Sequence, residues 1–364
     1  MESLRLRQRA SIWRVAMVVF LCTVVMQAQP GAEPSTTLIN RDAVVYSAVT
    51  GKVYAVDKAH SAVWIIGADG EAKSVKVGAG PEAIAVNTVT RKVYVASSTA
   101  ANVSVLDGKT DAVVATVPTA ARPYAIAVDV LANKVYVSNT FSNMLTVIDG
   151  ATNAATNIKT GSADAIVVDA EAGKVYLLGY ETDALTVLDT DSGALSKLSA
   201  GAMHLWGLAL NRAAGKLYVT HVQDGNLGVV DLKAQHETTV PAGAIPSAVA
   251  VDAATGRVYV ANYGSGTVTV VDGATDRGDT IVKVGNHPQA IAIDRRRDIV
   301  AVANTMDNTV SLIDGKTARV WKTLPAGEHP YALAVNEETQ RIYVANLAAN
   351  VGGKAFTVIS EGVE

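Results

Sequence analysis

Arg257-Val258-Tyr259-Val260-Ala261-Asn262, followed by Thr267-Val268-Thr269-Val270-Val271-Asp272-Gly273, is the stretch that decides the fold. Its opening phrase is a basic residue, an apolar residue and a tyrosine, and it returns along the whole chain. The copies read Lys52-Val53-Tyr54, Lys92-Val93-Tyr94, Lys134-Val135-Tyr136, Lys174-Val175-Tyr176, Lys216-Leu217-Tyr218, Arg257-Val258-Tyr259, a worn Ile299-Val300-Ala301, and Arg341-Ile342-Tyr343. Their third positions lie 40, 42, 40, 42, 41, 42 and 42 residues apart. A fixed period of this size means one supersecondary unit stacked on copies of itself.

Residues 246–284 show what the unit is. Ser247 to Val251 alternates apolar and small residues, Arg257 to Ala261 is rich in Val and Tyr, Thr267 to Val271 alternates Thr and Val, and Asp279 to Val284 supplies a last short run. Four short runs separated by turn chemistry predict a four-stranded antiparallel meander. Third and fourth strands are joined at Asp107-Gly108, Asp149-Gly150, Asp272-Gly273 and Asp314-Gly315. The glycine there is expected to supply the positive φ of a tight hairpin. Asn139, Asn262, Asn304 and Asn346 close second strands and are expected to cap the following loop, while the bases that open the phrase decorate turns. First strands repeat as Ala83-Ile84-Ala85-Val86, Ala125-Ile126-Ala127-Val128, Ala290-Ile291-Ala292-Ile293 and Ala332-Leu333-Ala334-Val335. Alanine on one side suits a crowded central axis.

Radial repetition of four-stranded sheets predicts an all-β β-propeller. Repeats one to seven each supply four strands, and the eighth supplies Tyr331–Asn336, Arg341–Asn346 and Phe356–Ser360. Thr36–Asn40 would complete the last blade, so the expectation is eight blades closed by an N-terminal strand, with seven blades as the alternative. The phrases quoted above resemble the repeat of the YVTN (YncE-like) β-propeller family: tyrosine, valine, a small residue and asparagine, then a Val/Thr strand ending in Asp-Gly. The resemblance covers nearly everything after residue 35. It implies an exported protein of bacterial or archaeal type, mostly seven-bladed in the family. Related propellers include surface-layer components, proteins reported to contact DNA, and lactonase, lyase and dehydrogenase scaffolds. Fold-level analogy does not choose among them.

The N-terminus reads as a separate module. Arg5, Arg7, Arg9 and Arg14 precede the uncharged run Val15 to Met26, and Ala28 offers a small residue for a peptidase. That is the layout of a secretory signal peptide over residues 1–28, with 29–35 a linker and 36–364 the propeller. An uncleaved membrane anchor is the alternative; with cleavage, no transmembrane segment is expected. The one cysteine, Cys22, lies inside the signal, so disulfide and thiolate chemistry are not expected. Cleavage would remove four arginines and one glutamate, leaving 27 basic against 33 acidic residues, a net charge of −6. This balance and the 5% aromatic content disfavour a nucleic-acid partner.

No nucleophile elbow, His-Glu-x-x-His, haem-attachment or phosphate-loop motif is present, and Gly352-Gly353-Lys354 reads as a turn. Chemistry is therefore sought where the eight copies disagree. Aligned on the first strand, the entrance position carries Asn40, Gly80, Arg122, Ser162, His204, Ile245, His287 and His329. Two residues further on stand Asp42, Glu82, Tyr124, Asp164, Trp206, Ser247, Gln289 and Tyr331. Loops that converge on a propeller channel are the usual place for a ligand. The predicted ligand-binding rim is therefore Arg122, His204, His287, His329, Asp42, Glu82, Asp164, Tyr124, Trp206 and Tyr331.

Three imidazoles can hold a catalytic zinc, but blades space His204, His287 and His329 too widely for one ion, so no metal or cofactor is expected. The mixed rim suits a protein or a small polar ligand. The leading reading is an exported, non-enzymatic binding or scaffold module at the cell surface or in the periplasm. A lactonase or lyase acting through rim carboxylates is the first alternative and a nucleic-acid binder the second. His60, His221 and His236 are expected to be exposed or capping. Arg295-Arg296-Arg297 is expected to be an exposed loop on the face opposite the rim.

Overall fold

The computed structural model describes residues 43–347 and 355–360, and among them there is no α-helix. Seven four-stranded antiparallel sheets and one three-stranded sheet follow one another in chain order, each a meander of consecutive strands. The repeat at 246–284 becomes Pro246–Val251, Arg257–Asn262, Thr267–Asp272 and Arg277–Lys283, within two residues of the runs predicted from periodicity. The last sheet comprises Pro330–Asn336, Arg341–Asn346 and Phe356–Ser360. The first strands of neighbouring sheets touch one another all the way round, and the first strand of sheet one, Val44–Ser47, lies against that of sheet eight, Pro330–Asn336. The protein is thus an eight-bladed β-propeller, and the seven-blade alternative is excluded. The proposed closing strand Thr36–Asn40, with Asn40, Asp42 and Gly352-Gly353-Lys354, lies outside the described residues.

Blades eight and one also meet further out. The rings of Trp64 and Phe356 contact edge to face at 5.8 Å, and Tyr46 Oη donates to Glu338. The core is not one central mass but a series of layers between consecutive blades. Tyr94, Val103, Val105 and Val117 of blade two pack on Ile126, Val135 and Ile148 of blade three, and equivalent clusters fill the gaps from blade three through to blade eight. The repeated tyrosines 54, 94, 136, 218, 259 and 343 are almost wholly buried in these layers. Burial pushes the phenols of Tyr94, Tyr136, Tyr218 and Tyr259 up to about 12. Each full burial of a large side chain is worth about 2 kcal/mol, which explains why the phrase repeats.

The bases of the phrase do more than decorate turns. Lys52 Nζ donates to the carbonyl of Gly108 (3.0 Å), Lys92 to that of Gly150 (2.6 Å), and Lys216 to that of Gly273 (2.9 Å). Arg257 reaches Gly315 in the same way, and Arg341 Nη1 reaches Ala68 O at 3.3 Å, carrying the pattern from blade eight back to blade one. Each of these five bases therefore staples its blade to the third-to-fourth-strand turn of the next. Lys174 faces a next blade with Asp231-Leu232 in place of Asp-Gly, and it pairs with Asp189 of its own blade instead.

The glycine of the Asp-Gly pair also has a different reason from the expected one. Gly108, Gly150, Gly273 and Gly315 do not have positive φ; the left-handed residues fall three positions later, at Asp111, Asn153, Asp276 and Ala318. The aspartate builds that turn by accepting backbone N–H groups, as Asp107 does from Lys109 and Thr110. Gly108 is needed because its N–H donates to Arg91 O at 2.9 Å, and a Cβ would stand only 2.5 Å from that oxygen. The expectation of positive φ is thus corrected: close approach of a neighbouring hairpin excludes the side chain. The second-strand asparagines are buried and reach across the sheet rather than into the loop alone. Asn139, Asn262, Asn304 and Asn346 donate to Thr146, Thr269, Ser311 and Thr357 of the third strand at 2.8–3.0 Å.

Candidate functional site

The rim is built on a repeated irregularity of the backbone. Gly80, Arg122, His204, Ile245, His287 and His329 all adopt positive φ, between 52° and 67°. Proline follows all of these but His204, and begins the inner strand, where its missing N–H costs no ladder bond. One residue later the register slips by a β-bulge in blades two, three, five, six, seven and eight. Glu82, Tyr124, Trp206, Ser247, Gln289 and Tyr331 stand at that slip. A bulge leaves a residue unpaired and re-aims its side chain. In these six blades both predicted rim positions therefore sit on one repeated backbone device that carries a different pair of side chains each time. Blade four departs from it: Ser162 is not left-handed, and Ala163 replaces the proline.

The structure groups these side chains by pairs of blades. Tyr180, just past the second strand of blade four, packs edge-on against His204 (5.0 Å) and Trp206 (5.6 Å) of blade five. Tyr263 of blade six packs on His287 of blade seven at 4.3 Å. Burial holds the His287 imidazole below its ordinary range, and the Asp307 carboxylate only partly opposes this. Arg122 lies over the ring of Phe141 at 5.0 Å, and that ring is 67% exposed on a left-handed backbone. Asp164 accepts the N–H of Tyr180 at 2.8 Å, yet burial raises its carboxyl above the usual range. Tyr180, Tyr263 and Phe141 were missed from sequence, although all three follow directly on, or one residue after, the end of a second strand.

On the opposite arc, Glu82 accepts from Lys58 Nζ at 2.6 Å and from Ser98 Oγ at 3.0 Å. Tyr331 is buried beside Glu82 and Asp57, and burial above all, then these carboxylates, push its phenol far up. A cavity of about 40 Å³ lies between blades eight and one, bordered by Asp57, Lys58, Tyr331 and Asn346. Tyr124 is buried at its bulge, and His329 is anchored through its own N–H, which donates to Asn308 Oδ1 at 2.8 Å. His204, His287 and His329 do not converge, and among the described residues no group of three or more His, Cys, Asp or Glu comes together as a metal site. Asp42 lies outside the described residues.

Three residues outside the rim require correction or refinement. His221 is not exposed: it is buried in blade five and pairs with Glu237 at 2.8 Å. It replaces the asparagine of other blades, and Gly228 replaces the facing Thr or Ser, since a Cβ there would collide with both side chains. His60 is exposed and is capped by the buried Asp57, which accepts from its Nδ1 at 2.9 Å. Arg297 is not a plain loop residue, because its Nε donates to the buried Asp294 at 2.7 Å. The end of the channel opposite the rim holds a wider opening, a depression of about 720 Å³ among the ends of the inner strands of blades four and five and the hairpin of blade six.

Comparison with known proteins agrees with the architecture. The family model described as "YNCE-like beta-propeller" matches residues 188–360. No curated protein matches the chain by sequence. Among solved structures, the chain is similar to the dihydro-heme d1 dehydrogenase NirN in complex with DHE, with a TM-score of 0.73 and 14% identity over 88% of this chain and 73% of that one. It is also similar to a functionally unknown protein from Desulfotomaculum acetoxidans, with a TM-score of 0.62 and 10% identity over 75% of this chain and 95% of that one. At such identities the likeness is one of fold. Among the described residues no helix is long and apolar enough to cross a membrane. The family match falls on residues 188–360, and the blade plan found there repeats around the whole described ring, so the chain is an eight-bladed β-propeller whose second half matches the YncE-like family.

Proposed function

We propose that this propeller is an exported, non-enzymatic binding module, working at the cell surface or in the periplasm, and that the rim is its recognition surface. One observation carries the reading. The left-handed residue, the proline and the bulge recur from blade to blade, while the side chains they present differ. A scaffold that keeps its backbone and varies its side chains is what a recognition surface needs. The aromatic and imidazole pairs on blades four to seven offer flat apolar faces beside hydrogen-bonding nitrogens, and Arg122 adds a cation. That chemistry suits a protein segment or a small polar ligand. The solved neighbour NirN is described in complex with DHE, which supports a ligand-handling role for such propellers without naming a ligand here.

The test has two arms. Fractionation of the expressing cells followed by mass measurement reports export and loss of residues 1–28, and a full-length product confined to the cytosol overturns the export reading. The purified chain is then screened against peptide and polar small-molecule arrays, alongside His204→Ala, His287→Ala and, as a control far from the rim, Lys233→Ala. Binding that weakens in the two rim variants and not in the control supports the proposal. Binding indifferent to the rim overturns it. So do stoichiometric bound calcium or zinc with rim-dependent hydrolysis or elimination, or a gel shift with nucleic acid that weakens as salt rises.

A further inference from the structure

The channel end opposite the rim is lopsided. There the hairpins between first and second strands read Glu171-Ala172-Gly173 in blade four, Arg212-Ala213-Ala214 in blade five and Ala253-Ala254-Thr255 in blade six. In blades seven and eight the same hairpins carry Arg295-Arg296-Arg297 and Glu337-Glu338. These are cross-linked, Arg295 donating its N–H to Glu337 at 3.2 Å and Arg296 facing Glu338 at 3.9 Å. Paired long side chains thus stand on blades seven and eight, and alanines on blades five and six.

The opening is the depression of about 720 Å³, walled by Val167 and Leu210 of the inner strands and by Ala213 and Ala253 of the hairpins. It opens broadly to solvent, and its make-up of apolar wall with few fixed polar groups is that of small-molecule sites. The polar group here is Arg212. Its Nε lies 2.9 Å from Asp169 and its Nη1 lies 2.7 Å from Glu171, so blade four grips the guanidinium from two sides. Asp169 is itself fixed, buried and accepting the N–H of Ala172. Two carboxylates against one guanidinium leave a local charge of about −1. Glu171 is 68% exposed, so its carboxylate has lone pairs to spare on the open side.

We infer that this end of the channel is a second binding site, for a small amphipathic cation with an ammonium head on an apolar body. The body covers Val167 and Leu210, and the head pairs with Glu171. A carboxylate head is disfavoured, because the guanidinium it would seek is already neutralised. The site does not depend on the rim reading.

Benzylamine, benzyl alcohol and benzoate share one ring and differ in the charge of the head, so they separate the two contributions. Titrated into the full chain and followed by NMR, benzylamine binds tightest and benzoate weakest. Glu171→Gln, at an exposed position where folding is not at stake, weakens benzylamine about fivefold, as loss of an exposed charge pair does, and leaves benzyl alcohol unchanged. Ala213→Trp fills the depression and abolishes binding of both. His287→Ala, on the rim, changes none of these affinities. The inference is overturned if none of the three binds, if benzoate binds as tightly as benzylamine, if Glu171→Gln has no effect, or if His287→Ala removes the binding.

Discussion

Gly108→Ala separates two reasons for a glycine. Gly108 has an ordinary φ, so backbone strain predicts that alanine is harmless there and even mildly stabilising, through a less flexible unfolded chain. Its surroundings predict the opposite. An added Cβ would sit 2.5 Å from Arg91 O and 2.8 Å from Thr50 Cγ2, against a normal carbon–oxygen contact of about 3.3 Å. The two hairpins must part by most of an ångström. That stretches the Gly108 N–H bond to Arg91 and the Lys52 bond to Gly108 O, which ties blade one to blade two. Overpacking costs about 1–3 kcal/mol and each weakened bond about 1 kcal/mol, so a loss of about 3 kcal/mol is expected. Gly51→Ala is the control. Its φ is +67° with nothing within 4 Å of the added carbon, so only backbone strain of about 1–2 kcal/mol applies. Urea unfolding of both variants and wild type, read by tryptophan fluorescence and circular dichroism, gives the two values. If Gly108→Ala costs no more than Gly51→Ala, the close-approach argument is wrong.

Three further outcomes follow from the same geometry. Lys216→Met removes two bonds of a partly buried ammonium to Gly273 O and Asp276 and should cost about 1.5 kcal/mol; a double-mutant cycle with Asp276→Asn that shows no coupling refutes the staple. Glu237→Leu leaves His221 buried without its partner and should cost about 3 kcal/mol. Restoring the pattern of the other blades with His221→Asn, Gly228→Thr and Glu237→Thr together should recover most of it, and a triple variant no more stable than the single one would refute the compensation. The His287 imidazole, desolvated beside Tyr263, titrates below an exposed histidine. A lowered folded pKa means its contribution to stability is present above about pH 6.5 and is lost as the pH falls through the folded value. Tyr263→Ala admits water and should move the titration up in an NMR pH series; an unmoved midpoint refutes the desolvation.

The repeat, the strand order and the limits of most strands were legible in the sequence because they rest on local signals: period-two alternation, Asp-Gly turns and a repeat of about 42 residues. The positions of the rim were legible too, since aligning the copies on the inner strand needs no coordinates. What those positions share, the left-handed residue and the bulge, was not, because neither has a residue type of its own: Arg122, Ile245 and His329 adopt the same φ. The partners of the rim were equally hidden. Tyr180 meets His204 from the neighbouring blade, and no short-range pattern links residues 24 positions apart.

The amino-acid order alone determined a ring of repeated four-stranded blades, because each blade is specified by contacts between residues close in the chain, and closure of the ring in the structure settled eight blades over seven. Only the tertiary structure decided what the repeated bases do, why the Asp-Gly glycines must be glycine, and that His221, Gly228 and Glu237 form one buried unit. It alone placed Arg212 between two carboxylates at the second opening of the channel. These depend on groups up to 273 residues apart that meet when blade packs on blade, and such distances are set by closure of the ring rather than by any local preference of the chain.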